Sequence, residues 1–340
     1  MTDTLIVLKQ DTVAPRRSLA RRIVQRIGVQ NLSLVIAIVV LVAVIGVQNP
    51  LFFGLDNMRV IGQAVAISGL LAVVQTIVII LGALDISVGS LAGLCSVVSA
   101  MVFTAAGPMV GVAAAMLVGV ICGVINGCII VFGRVNSVIA TLATLAAYRG
   151  VADLISNGSA QGYTGSDPFF IFISRGSLVG IPTLIWILIL ISALVYVFLR
   201  FTSWGRNVYA VGGNGVASRL AGININRYIV GVFVVTGLVA SIAGVLITAR
   251  TGSGQPVSGS AGLELQAVTA AALGGAALKG GKGSVIGTLL AVVLLGVLSN
   301  GLTLLNVNSF WQDVATGGVL VLAVVIQQLR SGERRIGLPS

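Results

Sequence analysis

Apolar residues run along this chain in blocks of about twenty, divided by short polar or glycine-rich breaks. A bilayer core of about 30 Å takes about 20 residues of helix to cross, at about 1.5 Å per residue. Measured against that length, the blocks predict ten crossings: 31–48, 62–82, 88–105, 109–132, 136–154, 180–199, 228–249, 263–278, 284–304 and 310–329. The eighth stands apart. Its sequence, AGLELQAVTAAALGGAALKGG, is short, rich in glycine and carries Glu264 near its start, the pattern of a broken or re-entrant helix. The predicted fold is therefore all-α and membrane-integral, with residues 31–330 as one membrane domain. Residues 1–30 read as a basic N-terminal segment and 331–340 as a tail.

Composition sharpens this picture. The chain is 57% apolar and only 9% charged, with a mean hydropathy of +1.09, whereas soluble domains carry about a quarter charged residues. Of the 20 Lys and Arg, 16 fall on one side if the N-terminus is placed inside, so the basic-residue bias predicts cytoplasmic termini. Arg59, Arg149, Arg175 and Arg250 are left for the outer face. A net charge of +11 distributed in this way reads as orientation in a lipid bilayer, not as a nucleic-acid surface. Cys95, Cys122 and Cys128 lie inside apolar runs and read as small buried hydrophobes, and the absence of histidine removes the commonest metal ligand.

Small residues predict how the helices meet. Gly119, Gly123 and Gly127 recur every fourth residue on one face of the fourth span, and Gly237 with Ser241 and Ala240 with Gly244 repeat the device in the seventh. An internal echo appears as well. ALDISVGSLAG at 83–93 and ALKGGKGSVIG at 277–287 share Ala-Leu, Gly-Ser and a later Gly at an offset of 194 residues, each before an outward-running span, which predicts a parallel pseudo-repeat.

Several polar positions are candidates for function. Asp85 and Ser87 sit in the break between the second and third spans, where the carboxylate either caps the third helix or serves a gate. Thr141 and Thr144, three apart on the fifth span, either offer hydroxyls to a polyol or bond back to their own helix. Asn136, Asn126 and Asn300 are further polar groups near helix ends. The longest inner loop, RFTSWGRNVYAVGGNGVASRLAGININR at 200–227, is too polar to span. Within it Asn214 can cap a short helix through Ala217 to Leu220, and Gly222 can stop it. Around Lys282 the chain lacks a phosphate-binding P-loop, since Ala276 and Gly283 stand where Gly and Ser or Thr are needed.

The stretch Gly205 to Ile223, with LGALDISVGS at 81–90, IATLATLAAYRG at 139–150 and LKGGKGSVIGTLLAVVLLGVLSNGLTLLNVNSFWQ at 278–312, resembles the permease subunits of bacterial sugar-importing ABC transporters of the ribose, xylose and autoinducer-2 type. The resemblance implies that Gly205, Arg206, Asn207, Gly212, Gly213, Asn214, Ala217, Arg219 and Gly222 form the element that couples to a cytoplasmic ATPase, which alone binds ATP and Mg. A solely lipid-facing basic loop is the competing reading. The resemblance also implies an external sugar-binding protein, a second permease copy of the same or a paralogous chain, an inner-membrane location and no catalytic residue in this chain. Branched-chain amino acids or another small solute remain as alternative cargo, and ion-coupled secondary transport as an alternative mechanism. Ser137 and Gln266 depart from the resemblance, standing where many members carry proline and aspartate.

Overall fold

The computed structural model describes residues 29–331 apart from Tyr163, so the expectations for the basic N-terminal segment and the C-terminal tail lie outside the described residues. Among the described residues, eight helices are long and apolar enough to cross a membrane. They are α1 (Val29–Gln48), α2 (Leu55–Ile80), α3 (Val88–Ala106), α4 (Pro108–Phe132), α5 (Ser137–Ser156), α7 (Thr183–Phe201), α10 (Ile225–Thr251) and α12 (Val285–Leu304). Between α5 and α7 lie the short α6 (Pro168–Arg175) and a two-stranded hairpin, Ser177–Leu178 with Ile181–Pro182. Helices α8 (Ser203–Gly213) and α9 (Gly215–Leu220) join α7 to α10. The chain then runs through α11 (Leu263–Leu273) to α12 and ends in α13 (Ser309–Ser331).

The eighth expected crossing is made in two parts, of which only the second is helical. Helix α11 has 11 residues, about 16 Å of rise, roughly half of what the hydrocarbon core requires. It is entered from the irregular segment 252–262, which lies alongside α3: Gly254 fits against Val97 and Ala100, and Gly93 against Pro256 and Ser260. The second crossing starts seven residues earlier than expected, at Leu55 in place of 62, because Gly54 and not the polar stretch after it ends the preceding turn.

The two stretches of the expected pseudo-repeat share the turn that ends their preceding helices, a turn that also ends α9 and α12. Helix α2 ends with Gly82 N donating to Ile79 O at 2.9 Å and Ala83 N to Val78 O at 3.0 Å. Helix α11 ends with the same pattern, Gly275 N to Ala272 O at 3.0 Å and Ala276 N to Ala271 O at 2.9 Å. Both turns need a left-handed residue, supplied by Gly82 (φ +87°) and Gly275 (φ +96°). The structural offset is thus 193, and the second break is longer before its helix begins. Gly89–Ser90 consequently lie inside α3, whereas Gly283–Ser284 precede α12, so the Gly-Ser match in sequence does not mark equivalent positions. The two breaks touch: Gly281 N donates to Ile80 O at 2.8 Å.

At the centre, α4 and α10 pack antiparallel through their small residues. A Cβ at Gly119 would overlap the Gly237 carbonyl, one at Gly123 the Phe233 carbonyl, and one at Gly127 would reach within 2.8 Å of Val230 Cα. The apolar core gathers on α2, α3, α10, α11 and α12, and a second cluster at the α8 end joins the last turns of α2 and α7 to Val208, Val211, Val232 and Phe233.

Because the backbones cannot separate locally, Gly123→Val should destabilise the protein by about 1–3 kcal/mol. Gly317→Ala, where no atom lies within 4 Å of the added carbon, should leave it unchanged. Thermal unfolding of the purified protein in detergent distinguishes them, and equal melting temperatures would contradict the close packing.

Candidate functional site

The break between α2 and α3 is built from polar side chains buried where four helices meet. Asp85 is 1% exposed. Its carboxylate accepts from Ser87 N at 2.9 Å and from the Ser87 hydroxyl at 2.6 Å, a local turn that sets the entry into α3. The Ser87 hydroxyl in turn accepts from Asn126 Nδ2 on α4 at 2.9 Å, and the Tyr148 hydroxyl on α5 donates to Asn126 Oδ1 at 2.9 Å. On the other side, the Gln75 amide faces Asp85 O at 3.1 Å and Asp85 N at 3.3 Å, and with its nitrogen toward the carbonyl it makes both bonds.

Thr141 belongs to the same assembly. Its hydroxyl bonds back to Ser137 O at 2.8 Å and accepts from Ile86 N at 3.1 Å, while the Ser137 hydroxyl accepts from Leu84 N at 3.2 Å. Thr144, one turn on, is buried and bonds to Thr141 O at 3.3 Å. Asn136 is elsewhere: it is exposed and caps α5 by accepting from Val138 N at 2.9 Å. Asp85, Ser87, Thr141 and Thr144 are thus brought together and Asn136 is not. Tyr148 was legible as the next member of the 141, 144, 148 stripe. Gln75 was signalled only by being an amide in an otherwise apolar run.

Helices α8 and α9 are fastened to both breaks. Thr202 caps α8 through Gly205 N at 3.0 Å, and Gly205 lies directly on the backbone of Phe198 and Leu199. Asn207 donates to the Tyr228 hydroxyl, and the Trp204 ring lies 4.6 Å from the Tyr228 ring, tying α8 to the start of α10. Tyr209 donates to Gly283 O at 3.1 Å, and burial raises the pKa of its hydroxyl. Gly212 has no room for a Cβ beside Ile80 O, and Gly213 lies against Gly281. Asn214 caps α9 by accepting from Ala217 N at 3.0 Å, and Gly222 takes the left-handed conformation that ends the turn. The outer side of this unit carries Arg206, Ala217 and Arg219, with Val216 74% and Leu220 86% exposed.

At the opposite end of the bundle, a cavity of about 460 Å³ opens between α2, α11, α12 and α13, a size suited to a small molecule. Its polar lining includes Ser68, Arg250, Gln266, Ser299, Asn300 and Thr303. It lies where α11 occupies only part of the space beside α2, α12 and α13.

Two charges expected at the membrane surface lie inside the bundle. Arg149 is the thirteenth residue of α5, about 18 Å along its axis, and pairs with Glu264 at 3.7 Å. Glu264 is 8% exposed, and the missing side chain of Gly89 makes room for its Oε2. Neither Oε2 nor the Arg149 Nε and Nη2 atoms has a hydrogen-bond partner. A carboxylate from the first turn of α11 thus reaches the Arg149 guanidinium on α5 and balances its charge within the bundle. Among the described residues no group of three or more His, Cys, Asp and Glu is placed to hold a metal ion.

Comparison with known proteins places these features in context. A family model described as the permease component of branched-chain amino acid transport systems matches residues 58–324. The ribose import permease of Escherichia coli K12 is 39% identical over 86% of this chain and 91% of its own length. That of Bacillus subtilis is 36% identical over 89% and 94%, and the L-arabinose permease of Azospirillum brasilense is 37% identical over 89% of both chains. No solved structure matches.

Glu264→Gln leaves Arg149 without its counter-charge. The expected cost is about 1–3 kcal/mol, below the 3–5 kcal/mol of a fully buried pair because 32% of the Arg149 side chain is exposed. Adding Arg149→Gln should restore most of the loss. A double variant no more stable than Glu264→Gln alone, measured by thermal unfolding, would show that the two residues are not coupled.

Proposed function

The chain belongs to the membrane permease family whose model covers residues 58–324, and on that premise we propose that it is the translocation subunit of an ATP-driven sugar importer. Relatives named for ribose and arabinose import match it over 86–89% of its length. They favour a monosaccharide as cargo over the branched-chain amino acids in the family description. They also favour an ATP-driven mechanism over ion coupling. The solute would be delivered by an extracytoplasmic binding protein.

The observation that carries the mechanism is the attachment of α8–α9 to both helix breaks. A partner seated on the exposed Val216, Leu220 and Arg219 would push on a unit that bonds directly to Gly283 and packs on Ile80 and Gly281. Movement at that surface is then transmitted to the ends of α2 and α11 without a flexible joint. The partner is a cytoplasmic ATPase subunit, which holds ATP and Mg and performs hydrolysis. This orientation puts α8–α9 inside, both termini in the cytoplasm and the cavity on the outer face of the inner membrane. Two permease chains, identical or paralogous, would form the pathway over two ATPase domains.

Purification of the tagged permease from its native membranes should bring down the ATPase. Val216→Asp with Leu220→Asp should reduce the recovered ATPase at least about tenfold, equivalent to about 1.4 kcal/mol of binding. Full recovery with the double variant would remove α9 from the interface. Absence of any ATPase from the wild-type preparation, with transport persisting in an ion gradient, would overturn the importer reading.

A further inference from the structure

We infer that Gln266 and Arg250 are the residues of the outer cavity that contact the translocated sugar, and that Gln266 is a determinant of which sugar passes. This inference rests on the sugar-importer reading.

Most of the polar lining is already employed within the protein. Asn300 is locked in a reciprocal amide pair with Asn57, at 3.1 and 2.8 Å. The Ser299 hydroxyl donates to Gln312 Oε1 at 2.7 Å, and Gln312 Nε2 donates to the Thr303 hydroxyl at 2.9 Å. The Ser68 hydroxyl is turned back onto Ala64 O at 3.0 Å. These groups hold α2, α12 and α13 in place, and their donors are engaged within the protein.

Gln266 and Arg250 differ. Both line the cavity, and among the described residues neither side chain has a hydrogen-bond or ionic partner. Gln266 is half-buried on the second turn of α11, where an amide supplies both a donor and an acceptor to one ligand. Arg250, in the last turn of α10, supplies a planar fork of donors that spans two neighbouring hydroxyl oxygens. The complement of this pair is a small neutral molecule carrying several hydroxyl groups.

What the lining lacks is equally informative. Among the described residues it contains no Asp or Glu and no aromatic ring, so these residues offer neither a charge-assisted acceptor nor a stacking face for the sugar. Such a cavity holds its ligand weakly, which suits a site that must pass the solute onward. Position 266 then has unusual leverage. A carboxylate there would supply a strong acceptor and, facing the same cavity as Arg250, compete with the sugar for the guanidinium. The Arg149–Glu264 pair, two residues earlier on α11, positions this wall without touching the cavity.

The test uses the complete importer, permease with ATPase and binding protein, in proteoliposomes, with radiolabelled ribose and arabinose as probes. The readout is sugar taken up per ATP hydrolysed, which a merely structural defect would not change. Gln266→Ala and Arg250→Ala should each lower this ratio about three- to tenfold, the size of one lost hydrogen-bonding group. Both should retain stimulation of hydrolysis by the loaded binding protein. Gln266→Asp should change the ribose-to-arabinose preference by at least about threefold. Leu265→Ala, on the opposite side of α11 and outside the lining, should match the wild type. Wild-type ratios in both alanine variants, or a fall in uptake matched by an equal fall in hydrolysis, would overturn the inference alone. Failure of the wild-type importer to move either pentose would overturn it together with the pentose assignment beneath it.

Discussion

Within a bilayer the backbone has no water to bond, so wherever this chain leaves a helix inside the bundle its amides and carbonyls must find protein partners. Three segments impose that requirement: 81–87, 252–262 and 274–284. The first is served by side chains brought from two helices, Ser137 and Thr141 bonding Leu84 N and Ile86 N and Gln75 facing Asp85. The second pairs Gln161 with Gly254 in both directions, at 2.9 and 2.8 Å, and donates from Gln255 N to the Ser96 hydroxyl at 3.0 Å. The third closes on itself through Ala277 N to Lys282 O at 2.9 Å and reaches Ile80 O through Gly281. Buried Gln75, Ser96 and Thr141 in this apolar protein serve these breaks.

From that requirement follows the mechanical character of the molecule. Apolar helix faces in lipid can slide with little preference for one register, because lipid tails are as apolar as the side chains they replace. Hydrogen-bonded breaks cannot slide, and they fix α2, α3, α11 and α12 relative to one another. The α8–α9 unit bonds to the same breaks, so its exposed tip and the ends of four membrane helices form one continuous solid. The glycine contacts of α4 with α10 complete this by bringing two long backbones into direct contact.

The shortness of α11 has a complementary consequence at the other end. A full-length helix there would fill the space between α2, α12 and α13. The half-helix leaves that space open and lined with amides and hydroxyls. Helix α2 connects the two ends, since Ser68 lines the cavity and Ile80 accepts the bond from the second break. The cavity and the α8–α9 unit are thereby joined by one unbroken helix of 26 residues.

The number and type of long helices, the small-residue stripes, the cap at Asn214 and the resemblance to a transporter family were all legible in the sequence, because each depends on hydrophobic length, helical period or a local motif. The Gly-Ser match between 83–93 and 277–287 was legible but does not fall at matching places in the helices, since Gly89–Ser90 lie inside α3 and Gly283–Ser284 precede α12. Four features depended on tertiary structure: the network from Gln75 through Asp85 to Tyr148, the depth of the Arg149–Glu264 pair, the cavity around Gln266, and the separation of Asn136 from Asp85. Each joins residues far apart in the chain, and depth in a bilayer is set by which neighbours surround a residue. Sequence distance from a helix end measures position along the chain, and a stretch that is half extended and half helical, as at 252–273, breaks the proportion between the two.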